Sequence, residues 1–239
     1  MFNIAKLFAL LVLFSLMVNS NVKAAQQLTC ATTHYPPYTT FDKATNTFIG
    51  SDITLLQMLF ERINLEVKIV NLPWARLKKE IKKNSYDCYF SLGKFPHREK
   101  YLDYTSTPTH ITRIAVFTPK NNKKLDLSKK VVGVHRGINF HLDITDLHQL
   151  ENATFKKLPS NDILFKMLSH QRLDAVITSK VVGEYILKLH HPEFVANITD
   201  ITNYQLPTYI AFKKQTIDIS MVNNALLEIK ATHPQLFEK

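Results

Sequence analysis

Short apolar strands and amphipathic helices alternate along this chain. Residues 28–32 and 66–70 are rich in apolar and β-branched side chains and predict strands. Between them, the apolar positions of residues 53–63 follow the helical period, with Ser51 or Asp52 as the predicted N-cap. Strands that alternate with helices at this spacing predict a parallel sheet with right-handed crossovers.

The alternation runs through two series. The first series ends with a helix that begins at Pro73 and a strand at residues 86–90. The second series has predicted strands at residues 114–118, 131–135, 154–158 and 173–177, with helices capped by Ser160 and beginning near Ser179. A strand at 209–212 and a helix at 217–233 then close the chain. This order predicts two α/β lobes of similar design rather than one continuous sheet.

The first two dozen residues have the pattern of a signal peptide. Lys6 precedes an apolar run at residues 7–18, and a polar stretch leads to a Val-Lys-Ala-Ala site at residues 22–25. The run is too short to span a bilayer, which takes about 20 apolar residues. We therefore predict that residues 1–24 are cleaved and that the protein is secreted to the periplasm.

The charge balance is basic but does not indicate a nucleic-acid protein. The formal charge is +10 and falls to about +8 without Lys6 and Lys23. The remaining lysines lie on predicted helix faces and in loops, as on a solvated surface. Together with the signal peptide, this charge pattern predicts no nucleic-acid partner. We also expect the protein to be a monomer.

Sequence motifs for metal binding or nucleophilic catalysis are missing. His190 and His191 are adjacent instead of three or four residues apart, and there is no Gly-x-Ser-x-Gly elbow. We therefore expect no metal, no cofactor and no enzyme. Cys30 and Cys88 lie in neighbouring predicted strands, where they form either a disulfide or part of the buried core.

Five short motifs carry a family resemblance. They are His34-Tyr35-Pro36-Pro37-Tyr38, Gly50-Ser51-Asp52, Pro73-Trp74, Tyr86-Asp87-Cys88 and Ser91-Leu-Gly-Lys-Phe-Pro-His-Arg98. In this order and spacing the chain resembles the periplasmic solute-binding proteins of family three, the amino-acid-type receptors of ABC importers. The resemblance implies a type II periplasmic-binding-protein fold with a ligand cleft that closes by a hinge.

The resemblance also implies how the chain is divided. Lobe 1 would comprise residues 25–111 and 204–239, and lobe 2, residues 112–203, would be inserted into it. Two strands would cross between the lobes near residues 110–113 and 201–205.

The resemblance implies a set of ligand-binding residues. Arg98 would hold a carboxylate through its two-pronged guanidinium, although a surface ion pair with Glu99 or Asp103 is the alternative. Ser91 would assist it, or would simply be a small turn residue. Tyr35 and Trp74 would pack on the ligand or belong to the core. The loop at residues 137–139 would offer backbone N–H groups. The full predicted set is Tyr35, Trp74, Ser91, Arg98, Gly137, Asn139 and Ser179.

Two departures from the family pattern concern the ligand. Ser179 stands where amino-acid receptors carry an aspartate for the ligand's ammonium group, and Gly93 replaces a hydroxyl residue. An unpaired buried ammonium is costly. Side chains with potential positive charge crowd the same loops: Lys94, His97, His135 and Arg136. We hypothesise that the ligand is a small organic anion, or an amino-acid derivative without a free ammonium.

The predicted function is therefore capture of a carboxylate-bearing solute for an ABC permease. One alternative is a sensing module that presents the closed lobes to a membrane receptor. Another is a cleft enzyme similar to the cyclohexadienyl dehydratases, with Glu184 or His135 as a general acid.

Overall fold

The structure of this protein is a computed structural model that describes residues 27–120, 125–136, 150 and 152–237. The predicted signal peptide lies outside the described residues. Within those ranges, every helix is too short or too polar to cross a membrane.

Helices and strands alternate as the sequence predicts. The first part of the chain contains β1 (Gln27–Thr32), β2 (Thr40–Asp42), β3 (Thr47–Ile49), α1 (Ser51–Arg62), β4 (Glu66–Asn71), α2 (Trp74–Lys83), β5 (Cys88–Gly93), α3 (Pro96–Glu99) and β6 (Leu102–Tyr104). The second part contains β7 (His110–Pro119), β8 (Val131–His135), β9 (Thr154–Leu158), α4 (Asn161–Ser169), β10 (Ala175–Ser179), α5 (Lys180–His190), β11 (Ala196–Lys213), α6 (Ile219–Thr232) and a 3-10 turn (Pro234–Leu236).

Strand pairing divides the described sheet into two parallel groups. β4, β1 and β5 are parallel to one another, and so are β10, β8 and β9. Between the groups, β11 runs antiparallel to β5 and to β7, and β7 runs antiparallel to β10. The parallel crossovers are therefore confirmed. The separation into two unconnected sheets is not observed, because the paired strands β7 and β11 join both groups into one curled, mixed sheet.

Each parallel group has its own apolar core, and we call the two halves lobe 1 and lobe 2. In lobe 1, Cys30 and Ala31 point to opposite faces of β1, as alternation requires. The Cys30 face packs on α1 and α6, and the Ala31 face packs on α2. In lobe 2, α4 and α5 cover one face through Leu164 and Ile186. The residue boundaries of the lobes stay predictions.

The longest strands are the two that link the lobes. β11 is 18 residues long and pairs with β7 from Ala196 to Asp200 and again from Gln205 to Thr208. The register shifts between Asp200 and Gln205. Sequence patterns predicted only residues 209–212 of this strand, because its polar residues in the first half broke the apolar alternation.

Cys30 and Cys88 form a disulfide. They are direct neighbours in the β1–β5 ladder, with their Cα atoms 4.4 Å apart. This distance lies within the range that a disulfide spans. The bridge therefore ties two strands of lobe 1 that are already hydrogen-bonded.

One predicted helix cap is confirmed and one is wrong. Ser160 accepts a hydrogen bond from Ile163 N at the start of α4. At α1, however, the N-cap is Gly50, which makes no side-chain cap. Neither Ser51 nor Asp52 caps this helix, and the Asp52 side chain is bonded to groups elsewhere in the fold.

Candidate functional site

A cavity of about 570 Å³ opens between the two lobes. Among its lining residues are five that the sequence predicts for the binding site: Tyr35, Trp74, Ser91, Arg98 and Ser179. Gly137 and Asn139 lie outside the described residues. The structure thus brings side chains from four segments of lobe 1 together with one from lobe 2. Ligand binding by these residues stays a prediction.

A β-bulge directs Ser91 toward the cavity. β5 pairs Leu92 with Tyr209 but Tyr89 with Ala211, so two residues of β5 oppose one of β11. Ser91 adopts a left-handed backbone conformation, with φ of 53°. Such conformations are uncommon for serine and concentrate at functional sites. The bulge turns the hydroxyl toward Asp52, to which Ser91 Oγ donates a hydrogen bond.

Asp52 is the centre of a buried polar network that the sequence did not reveal. Only 2% of the residue is exposed, and its Oδ1 lies 3.2 Å from His110 Nδ1. The His110 ring in turn stacks on Tyr38, with centroids 3.6 Å apart. An aspartate at the start of a helix is typical of an N-cap. His110 lies far along the chain, so the sequence does not indicate that it contacts Asp52.

Gly50 permits the tight chain entry that places Asp52. Its φ is 135°, and an added Cβ would lie 2.2 Å from the Tyr38 carbonyl oxygen. The Asp52 backbone N–H also donates to that carbonyl, at 3.1 Å. Only glycine fits this combination of conformation and close approach.

Arg98 is held rigidly at the cavity wall. It is 7% exposed, and its Nη1 donates to the Gly93 carbonyl oxygen at 2.7 Å. Its Cζ lies 5.3 Å from the Trp74 ring centroid and 4.9 Å from that of Phe95. These are cation–π contacts. Burial lowers the pKa of Arg98, and Tyr104 partly offsets this.

The alternative role for Arg98, a surface ion pair, is not observed. Glu99 instead pairs with Lys94, with Nζ and Oε1 3.1 Å apart. Within the described chain, Arg98 forms no ion pair with any carboxylate. Arg98 therefore has no described carboxylate as a counterion, and it lines the cavity.

Tyr35 provides aromatic surface on the other side of the cavity. Its ring stacks on Tyr38 with centroids 5.7 Å apart. Burial raises the pKa of Tyr35, and the nearby hydroxyls of Ser179 and Thr112 partly offset this. The phenol is therefore neutral and can donate a hydrogen bond at any physiological pH.

Lobe 2 contributes the ends of three adjacent strands. His135 ends β8, Asn161 begins the helix that follows β9, and Ser179 ends β10; all three line the cavity. Burial lowers the pKa of His135, and the backbone of Arg136 and Pro159 partly offsets this. Asn161 Oδ1 accepts from Thr178 Oγ1 at 3.0 Å, which leaves its NH₂ group as a donor.

The charges around the cavity are predominantly positive. Lys78, Lys79, Lys82 and Arg98 line it, and no described carboxylate does. Burial lowers the pKa of Lys78, and the positive charge of Arg98 lowers it further. Of the positive residues expected from sequence, His97 and His135 line the cavity, whereas Lys94 and Arg136 do not. The described residues contain no cluster of side chains suited to a metal ion.

Sequence reasoning missed several lining residues. The α2 lysines were assigned to a solvated helix face, yet the helix start at Trp74 directs three of them toward the cavity. Thr112 and Thr208 come from the paired linking strands, whose polar residues carry no recognisable motif. The missed lining residues include Thr33, His34, Lys78, Lys82, Phe95, Tyr101, Thr112, Asn161, Tyr204 and Thr208.

A cleft between two α/β lobes, linked by a pair of antiparallel strands, defines a binding protein of the type II periplasmic fold. The sequence profile of the bacterial extracellular solute-binding proteins, family 3, matches residues 28–238. The chain belongs to this family.

Similar proteins bind amino acids. The L-cystine-binding protein TcyA of Bacillus subtilis (strain 168) is 24% identical over 198 residues, covering 82% of this chain and 73% of TcyA. An ancestral arginine-binding protein bound to arginine has a TM-score of 0.74 at 22% identity, covering 88% of this chain and 96% of that one. The GluR0 ligand-binding core of Nostoc punctiforme in complex with L-glutamate has a TM-score of 0.72 at 20% identity, covering 87% and 96%. These structures share the fold with this chain.

Proposed function

We propose that this protein captures a small organic anion in the interlobe cleft and delivers it to the permease of an ABC importer in the periplasm. The observation that carries the proposal is the buried guanidinium of Arg98, which faces a cavity without any described carboxylate. The protein would act as a monomer, and closure of the lobes would bury the ligand.

The energetics of Arg98 favour an anionic partner. A buried charge without a counterion is costly, and a ligand carboxylate would supply that counterion. One guanidinium edge is already occupied by the Gly93 carbonyl oxygen, and the Trp74 and Phe95 rings restrict its orientation. The fork is therefore preorganised, which lowers the entropic cost of binding.

The charge around Arg98 supports the same ligand class. Lys78, Lys79 and Lys82 lie along one helix that faces the cavity. A free ammonium on the ligand would meet these cations without a described carboxylate to pair with. A small carboxylate, by contrast, would offset the repulsion between the positive charges of Arg98 and Lys78.

A thermal-shift and calorimetry screen of carboxylates tests the proposal. A ligand at a hundred times its Kd stabilises the folded state by about 2.7 kcal/mol, so a hit raises Tm measurably. Arg98→Ala should weaken binding by about 2–5 kcal/mol, the usual cost of removing one partner of a buried charge pair. Arg98→Lys keeps the charge but loses the fork, and we expect intermediate affinity.

Lys94→Ala is the matched control, because Lys94 is a nearby cation outside the lining that pairs with Glu99. It should leave affinity within about twofold, on the scale of a surface ion pair. Unchanged carboxylate affinity in Arg98→Ala, or binding of standard amino acids alone, would contradict the proposal.

The importer role is proposed over catalysis because no described carboxylate lines the cleft, and of the two general-acid candidates only His135 lies there. Glu184, considered earlier as a general acid, is exposed on α5 and does not line the cavity. Delivery to a membrane sensor would use the same cleft. Uptake of the identified anion by cells with and without this gene distinguishes transport from sensing. If the protein is a sensor, its loss leaves the uptake rate unchanged in cells that already express an importer for the anion.

A further inference from the structure

We propose that the ligand is a dianion, with one acidic group on Arg98 and the second in a lobe 2 subsite formed by Ser179, Asn161 and His135. The inference rests on the proposed function and specifies the substrate class. It would make the cleft selective for compounds that carry two acidic groups across a short linker.

The subsite lies where the strands of lobe 2 end together. β10, β8 and β9 are parallel neighbours, so their carboxyl ends meet at one edge of the sheet. Two helices begin at this edge: α4 at Asn161 and α5 directly after Ser179. Helix N-termini carry backbone N–H groups without intrahelical partners and the positive ends of the helix dipoles. At α4, Ser160 bonds one of these N–H groups. Both helix starts therefore favour a negative group at this edge of the cavity.

Ser179 is the second and independent sign of a ligand. The residue is 3% exposed and lines the cavity. The Tyr35 hydroxyl lies close to it, but the Ser179 Oγ makes no hydrogen bond that meets the usual distance and angle limits within the described chain. It also does not cap α5, although it occupies the N-cap position. By comparison, Ser160 at the start of α4 does cap its helix. A buried hydroxyl without a partner is costly unless a ligand supplies one.

Two neighbouring side chains complete a set of donors. The Asn161 amide is fixed through its Oδ1 by Thr178, so its NH₂ group is left for the cavity. His135 Nδ1 is buried close to the backbone of Arg136 and Pro159, but it makes no hydrogen bond that meets the usual distance and angle limits within the described chain. All three side chains line the cavity from the same edge of lobe 2. Anion sites in other proteins are built from backbone and side-chain groups in the same way.

Two described carboxylates beside the starts of these two helices are paired with other side chains. Asp162 pairs with His190 Nδ1 at 2.8 Å, and Asp200 pairs with Lys180 Nζ at 2.9 Å. Neither lines the cavity. The resemblance places an ammonium-binding aspartate at position 179, and serine there removes the negative charge. The subsite is therefore suited to an acidic group and not to an ammonium.

Calorimetry with matched ligand pairs tests the inference. The diacids succinate, glutarate and adipate are compared with the monoacids butyrate, valerate and hexanoate, and with L-glutamine and L-arginine. We expect at least one diacid to bind about 30-fold or more tightly than its monoacid. Ser179→Asp places a carboxylate in the subsite and should cancel that advantage, because it weakens the diacid by a much larger factor than the monoacid. Ser179→Ala should cost the diacid about three- to tenfold.

Asn161→Asp places a carboxylate in the same subsite from a different helix. It serves as the second variant if Ser179→Asp fails to fold. Circular dichroism and thermal unfolding show whether each variant folds. It too should weaken diacids selectively. Equal affinity for diacids and monoacids, with both dependent on Arg98, would overturn the inference and leave the proposed function standing. Binding of no acid at all would overturn the proposed function itself. Diacid affinity that neither acidic variant changes, or tighter binding of an amino acid, would also overturn the inference.

Discussion

Removing the Asp52 carboxylate should destabilise the protein strongly, because three polar groups converge on it. Ser91 Oγ and His110 Nδ1 make the close contacts, and Thr109 Oγ1 approaches at 3.5 Å. A hydrogen bond to a charged group contributes about 1.5–3 kcal/mol, so Asp52→Ala should cost about 3–6 kcal/mol. Asp52→Asn retains one acceptor oxygen and loses the other, so about half of that cost is expected.

Urea unfolding followed by circular dichroism measures these differences as changes in the free energy of unfolding. Glu61→Ala is a suitable control, since Glu61 is an exposed acidic residue on the same helix. It should change the free energy by less than about 0.5 kcal/mol. If Asp52→Ala unfolds with a free energy within 1 kcal/mol of the wild type, the network does not stabilise the fold. Equal costs for Asp52→Ala and Asp52→Asn would refute the hydrogen-bond reasoning in particular.

Two further predictions use groups that occur once in the chain. Trp74 is the only tryptophan and lines the cavity, so a bound anion should change its fluorescence, and Trp74→Phe should remove the signal. An unchanged spectrum at a ligand concentration that saturates calorimetry would place binding elsewhere. The Cys30–Cys88 disulfide closes a loop with a sequence separation of 58, so its loss should cost about 4 kcal/mol by chain entropy. The double alanine variant measures this by urea unfolding; a loss below 1 kcal/mol would contradict the entropic argument.

The local architecture was accessible from sequence because burial imposes clear periods. The helical spacing of apolar residues in α1 and the β-branched run of β4 located both elements to within a few residues. The same reasoning failed for β11. Its first half pairs with β7 through residues such as Asn197 and Asp200. Backbone hydrogen bonds to a neighbouring strand can form with polar side chains, so this half of the strand has no apolar pattern in the sequence.

The site was predictable only where a motif carried it. Arg98 and Ser91 were found through the resemblance, and the structure places both at the cavity. The Asp52–His110 contact joins residues that are 58 positions apart, and neither residue type identifies its partner. Packing geometry decides such pairs. The positive φ of Ser91 likewise depends on a bulge opposite β11 and has no signature in its neighbours.

The long strand β11 has a consequence for the order in which the molecule is assembled during synthesis. Residues 208–212 of this strand hydrogen-bond β5, and α6 packs against α1, so these parts of lobe 1 acquire their neighbours from segments that are synthesised much later. Until then, β5 presents an open edge of the kind that promotes aggregation. Lobe 1 therefore completes its sheet only after β11 has been synthesised, so the folding of β5 depends on a strand that follows the whole of lobe 2.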